Sequence, residues 1–276
     1  LERYSAEGVR RPCPELSDWG TSNAATGAGL TLEAGEGNGF AVAIAPVAGY
    51  AYIGVGSTPG AVVKVRMSDF TRVAVLTLAT GENNVQALAI DDSETFLYVT
   101  TYTTPAKVVK VRLSDFTKVG STLTLDTGEN SAVSAAWDSV TAHLYVGCYL
   151  SPAQIVKVAP GTTTPTRVAV KTFAAGENNP YTMALDSAAG YLYVGCFTTA
   201  GKIVRLTLSD FTTTSTLTFA GGENSVRGLD IDVTGGYLYA ALFLSPIKVV
   251  QVRLSDFTEL DVETLSGGEN EARFLT

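Results

Sequence analysis

Apolar and polar positions alternate in short runs along this chain. In one stretch the runs read "VQALAID" (85–91), "FLYVTTY" (96–102), "KVVKVRL" (107–113) and "STLTL" (121–125), separated by "DDSE", "TTPA" and "SDFT". Short runs rich in β-branched and aromatic residues, bounded by turn formers and lacking a helical period, predict four strands joined by tight turns. Within the first run small and large side chains alternate, as in Ala87, Leu88, Ala89, Ile90 and again in Thr182, Met183, Ala184, Leu185. Alternation puts the small set on one face and the large set on the other, so that neighbouring sheets can approach closely.

The same order of runs returns at a nearly constant interval. Gly81-Glu82-Asn83 has counterparts beginning at Gly128, Gly176, Gly222 and Gly268, and a looser one at Gly35-Glu36-Gly37-Asn38. The motif glutamates Glu36, Glu82, Glu129, Glu177, Glu223 and Glu269 are spaced by 46, 47, 48, 46 and 46 residues. A period near 46 divides 276 residues into six, and four strands per period predict an all-β, six-bladed β-propeller. "LSDW" (16–19) matches "LSDF" (113–116), "LTL" (30–32) reads as a fourth strand, and "EARFLT" (271–276) reads as a first strand. Residues 1–34 and 271–276 are therefore expected to form a composite closing blade, giving a single domain over 1–276 without an unpaired edge between its ends. A second strand for that blade is hard to find, unless Leu1 to Tyr4 supply a shortened one. Starting inside a blade and stopping within a strand also fits excision from a longer chain.

The strands "LYVTTY", "HLYVGCY" and "YLYVGCF" resemble YVTN-type repeats of the broad propeller superfamily. The resemblance implies the fold. It extends to surface-layer and adhesive proteins and, at a distance, to lactonases, so it leaves scaffold, binder and enzyme open.

Charge narrows the partners. With 19 basic and 27 acidic residues the net charge is -8, which argues against nucleic acid and anionic membrane surfaces. The most apolar stretch, 40–56, is interrupted by Pro46 and Gly49 and reads as two strands and a turn, so no membrane insertion is expected.

Candidate chemistry is sparse. The six motif glutamates are read first as a turn that the fold needs six times, Gly and Asn tolerating positive φ and the carboxylate accepting backbone N–H groups. The alternative is a carboxylate ring for cations or partners. His143, the only histidine, stands where other repeats have Phe96, Tyr191 and Tyr237, and is read as an aromatic substitute rather than a general base. A metal-dependent lactonase or esterase needs about six oxygen ligands, whereas one inner position around the ring runs Ala43, Ala89, Ala136, Ala184, Asp230, Thr276. Asp91, Asp138, Asp186 and Asp232 open turns and are expected to cap them. No catalytic, metal or cofactor residues are assigned, and no enzyme is expected.

Cys148 and Cys196 are expected to be buried thiols in neighbouring blades, too far apart to bridge. Cys13 is left as a free or intermolecular thiol. Four residues after each motif glutamate the repeat breaks down into Phe40, Gln86, Val133, Tyr181, Arg227 and Arg273. That rim has the groups to grip a sugar or a peptide, although drift at a solvent-facing position gives the same pattern and is preferred. The second-to-third strand turns, with Leu150, Leu244 and Ile247, are expected to expose apolar contact points. "PGTTTPT" (160–166) makes Thr162, Thr163, Thr164 and Thr166 candidate O-glycan sites, and no Asn-X-Ser/Thr acceptor exists. The expected function is a non-enzymatic structural or interaction module, a rigid subunit of an extracellular or cell-surface assembly such as a filament or matrix. Its partners are protein partners or further copies of itself. A lectin-like, glycan-binding propeller is the alternative, and the lactonase-like enzyme comes third.

Overall fold

The computed structural model describes residues 31–33 and 35–266, together with the short antiparallel pair Arg3–Tyr4 and Arg10–Arg11. The predicted strands form five consecutive antiparallel sheets, each a meander in chain order. The first holds Gly39–Ala45, Tyr50–Val55, Ala61–Arg66 and Thr71–Thr77. The third holds Ala132–Asp138, His143–Cys148, Gln154–Ala159 and Thr166–Thr172. The fourth holds Pro180–Asp186, Tyr191–Cys196, Lys202–Thr207 and Thr213–Thr218. The fifth holds Val226–Asp232, Tyr237–Leu242, Lys248–Arg253 and Thr258–Thr264.

The second sheet departs from this plan. After Val85–Ile90, Phe96–Thr101 and Lys107–Arg112, its outer strand is split into Thr117–Lys118 and Leu123–Thr124, both paired with Lys107–Arg112. Gly120 lies in the break at φ 64°, and a Cβ there would stand 2.6 Å from the Thr163 carbonyl oxygen. The Thr-rich loop of the next sheet occupies that space, and Ser121 N–H donates to Thr164 Oγ1 at 3.0 Å.

Inner strands of successive sheets pack side by side from the first sheet to the fifth. The large side of each inner strand presses on the preceding sheet: Leu88 clusters with Tyr52 and Val62. Tyr52, Tyr98, Tyr145 and Tyr193 are fully buried in second strands. The turn aromatics Phe116, Phe211 and Phe257, held at positive φ, reach back onto Tyr52, Tyr145 and Tyr193 at 5.6, 5.6 and 5.7 Å between ring centroids. Burying these rings supplies much of the adhesion between sheets, since each aromatic removes a large apolar area from water.

Six blades were expected from the period, and five four-position sheets are what the described residues contain. The composite blade from 1–34 and 271–276 lies almost wholly outside them. One face of the first sheet is open: Val42 and Ile44 are 64% and 56% exposed, whereas the equivalents of Val42 in the second and fifth sheets, Leu88 and Leu229, are 8% and 4% exposed.

Candidate interaction site

The Gly-Glu-Asn segment crosses from the outer strand of one sheet to the inner strand of the next. Glu82 N–H donates to the Ala79 carbonyl at 2.9 Å, and Glu82 Oε2 accepts the Ala79 N–H at 2.9 Å. The Glu82 carbonyl accepts from Gly60 N–H in the sheet behind, while Oε1 accepts from Lys118 Nζ at 2.6 Å and from Thr122 Oγ1 in the sheet ahead. One residue thus ties two sheets together. Glu36, Glu129, Glu177 and Glu223 repeat the three-residue loop, with Arg72, Arg167, Thr216 and Lys248 as their partners ahead. All five side chains are buried. Glu269 lies outside the described residues.

The motif glycines have the expected positive φ, but the Asn after Glu82 does not. The left-handed residue is the next one: Asn84, Ser131, Asn179 and Ser225, at φ 54°, 55°, 54° and 60°. Its carbonyl accepts from the residue that ends the second strand run, Tyr102, Tyr149, Phe197 and Phe243, at 2.8 to 2.9 Å. These four aromatic positions are absent from the candidate residues of the sequence, although Tyr102, Tyr149 and Phe197 close the quoted runs "LYVTTY", "LYVGCY" and "LYVGCF" and Phe243 closes "LYAALF".

The rim residues have a common local cause. Every inner strand contains a register shift after its first pair, between Gly39 and Ala41, Val85 and Ala87, Ala132 and Ser134, Pro180 and Thr182, Val226 and Gly228. The skipped residues are Phe40, Gln86, Val133, Tyr181 and Arg227. A β-bulge releases its extra residue from the ladder and re-aims the side chain, often at a functional edge.

Two of these are brought together. Arg227 Nη2 donates to Tyr181 Oη at 2.5 Å, and the guanidinium carbon lies 4.3, 4.6 and 5.4 Å from the ring centroids of Tyr181, Phe243 and Phe197. The rings continue as an arc, Tyr149 edge-on to Tyr181 at 5.9 Å, Tyr181 to Phe197 at 5.5 Å, Phe197 to Phe243 at 6.0 Å. Tyr149, Tyr181, Arg227, Phe197 and Phe243 are half-buried and Tyr102 is exposed. Burial, and then the neighbouring phenols of Tyr181 and Tyr102, push the Tyr149 phenol up against the pull of Arg227. Phe40 sits instead over Gly56, filling the place of the aromatic that other sheets carry there. Val133 is buried, Gln86 is half-buried, and Arg273 lies outside the described residues.

Other candidates are placed elsewhere. Asp91, Asp138, Asp186 and Asp232 cap their turns, accepting from Thr95, Val140, Ala189 and Gly235 N–H groups. No group of three His, Cys, Asp or Glu side chains among the described residues is placed to hold a metal. His143 Nδ1 is 2.7 Å from the Thr141 carbonyl. Cys148 and Cys196 are buried free thiols, each pushed up to about 12, chiefly by that burial; Cys13 lies outside the described residues. Thr162, Thr163 and Thr166 are exposed, while Thr164 is half-buried and engaged with Ser121. The apolar turn residues are not the exposed contacts expected of them. Leu150 and Leu244 pack against core clusters and Ile247 is 7% exposed, and the Leu150 carbonyl accepts from Asn179 N–H of the crossing segment, which draws that turn inward.

A cavity of about 370 Å³ opens between the first two sheets, lined in part by Tyr50, Tyr52, Lys64, Glu94 and Leu113. Lys64 Nζ lies 4.0 Å from the Tyr50 ring centroid. Lys110 over Phe96 at 3.9 Å and Arg205 over Tyr191 at 4.9 Å repeat that arrangement, which marks it as a packing device between the second and third strands of a sheet.

No protein-family model matches this sequence, and no curated protein matches it. Solved structures do. The WD40 repeats of RRP9 superpose with a TM-score of 0.66 at 11% identity, covering 84% of this chain and 65% of that one. The structure of U3-55K gives 0.65 at 11%, covering 84% and 66%. The β-propeller domain of Myceliophteria thermophila Cps50 (Swd1) gives 0.61 at 14%, covering 82% and 69%. The chain therefore spans about two thirds of the length of these structures, and at such identities the likeness shows the fold alone: this chain is built as a β-propeller.

Proposed function

We propose that the protein is a non-catalytic interaction scaffold whose docking face is the arc of rings around Arg227. The observation that carries this reading is the bulge: the fold releases one side chain per inner strand, and in adjacent sheets those side chains assemble with the strand-end aromatics into one half-exposed patch. Aromatic and arginine side chains are the groups that dominate recognition surfaces. The structural neighbours, WD40 repeats and a β-propeller domain, are in keeping with a protein-binding module.

Closure by a composite sixth blade belongs to the same proposal. The open apolar face at Val42 and Ile44 supports it, as does the exact repeat of the motif at Glu269. Extension to YVTN-type relatives, and to an extracellular or cell-surface assembly, rests on the "LYV" strands and on the exposed threonines Thr162 and Thr163.

The test places the photo-crosslinker p-benzoylphenylalanine at Tyr102 or, as control, at the exposed outer-strand Val168. In extract from the native source, discrete protein adducts form from position 102 and weaken in a Phe243→Ala background. Adducts formed equally from 168, or none from 102, would remove the docking face. Glycan adducts alone would favour the lectin-like reading.

A further inference from the structure

We infer that the docking face recognises a carboxylate carried by an apolar segment of a protein partner. This rests on the proposed docking role and goes further by naming the chemistry of what docks.

Arg227 has no counter-ion among the described residues. Among the described residues its one hydrogen bond is to the neutral Tyr181 hydroxyl, and no carboxylate pairs with it. In the five sheets between residues 39 and 264, Arg66, Arg72, Arg112, Arg167 and Arg253 all pair with Asp or Glu, whereas Arg205 shares the unpaired state of Arg227, bonding Thr214 and lying over two rings, one fewer than Arg227. Asp230, three residues along the same strand, accepts from Ile231 N–H instead of pairing with Arg227. In a chain of net charge -8, an unpaired guanidinium gathered among three rings stands out.

The surroundings set what can meet it. Arg227 Nε is buried with no acceptor, so the guanidinium is held by the rings, and the Nη1 side, which has no partner in the described residues, is left for a ligand. Stacking leaves the plane of the guanidinium free to donate at its edge, the geometry that suits a carboxylate. Phe197 and Phe243 lie against the guanidinium and Tyr149 is edge-on to Tyr181, so half-buried rings offer apolar surface to the groups on either side of the acid. A phosphate alone would gain nothing from these rings. An acidic residue between apolar neighbours uses both the charge and the rings.

The experiment uses the full chain and two defined probes, acetyl-Pro-Phe-Glu-Pro-amide and its Gln counterpart, with sodium glucuronate as a third. Binding is followed by NMR of arginine Nε–Hε and inner-strand amide signals. The expected result is that the Glu peptide shifts the Arg227 signal and binds at least about tenfold more tightly than the Gln peptide, as a charge-assisted hydrogen bond requires. Arg227→Gln abolishes that preference while retaining weak binding of both peptides through the rings, and Arg227→Lys restores part of it. Equal affinity for the two peptides, no binding by either, or glucuronate binding more tightly than the Glu peptide would overturn the inference. The Glu against Gln contrast in the unaltered protein stands even if Arg227→Gln fails to fold. If the contrast fails while position 102 still crosslinks to protein, only the carboxylate assignment is lost. If both fail, the docking role is lost with it.

Discussion

Lys110 shows how a single side chain adapts to a local change in sequence. In the first and fourth sheets the third-strand cation lies near the turn phenylalanine of the next sheet, Lys64 near Phe116 and Arg205 near Phe257, but "PGTTTPT" supplies none, and Lys110 Nζ instead meets the carbonyls of Pro160, Gly161 and Thr162 at 3.3, 2.8 and 3.4 Å. Burial lowers its pKa, while the carbonyl oxygens satisfy the donors of the ammonium. Glu82 is subject to a similar balance. Burial raises its pKa, but bonds from Lys118, Thr122 and Ala79 N–H outweigh that, and Glu82 titrates below the ordinary value of 4.5. A carboxyl whose folded pKa is depressed contributes stability that is present above the unfolded value and is lost as pH falls through the folded one. Glu82→Gln is therefore expected to cost about 1–2 kcal/mol at pH 7, with the gap to the parent protein narrowing below about pH 4.5. Thermal melts of both proteins from pH 7 to pH 3 check this, and a gap independent of pH would mean that the charge contributes nothing.

At the scale of the element, the inner and second strands are fitted to one another by side-chain size. Gly195 closes the run "LYVG", and a Cβ there would stand 2.6 Å from both Thr182 Cγ2 and Val226 Cγ1. Gly195→Ala should cost about 1–3 kcal/mol through overpacking, read as a lower urea midpoint at unchanged slope. The runs, the turns, and the alternation that puts Leu88 against the preceding sheet were all legible in the sequence, because each is encoded within a few residues. The split outer strand was not, because Gly120 yields to Thr163 some forty residues later. The candidate site was half legible. Tyr181 and Arg227 stood out as breaks in the repeat, but the bulge that turns them towards Phe197 and Phe243 is a one-residue slip without a composition of its own, so drift looked the better reading.

For the whole molecule, the question is what covers the first sheet. The period of 46 residues and the open face at Val42 both support the proposed sixth unit between the fifth sheet and the first. Under the proposed closure Val42 is as enclosed as Leu88, so Val42→Asp lowers stability by about 2–4 kcal/mol, as a buried unpaired charge does. On an open face the same change stays within about 0.5 kcal/mol. Chemical denaturation of the full chain distinguishes the two. The bulges carry a consequence at this scale as well. Because each skipped residue belongs to no ladder pair, exchanging it leaves the inward and outward alternation of the rest of its strand untouched. Under the proposed docking role, selection can therefore rewrite the half-exposed positions of the face one sheet at a time, changing what is recognised while the ladder of each strand stays as it is.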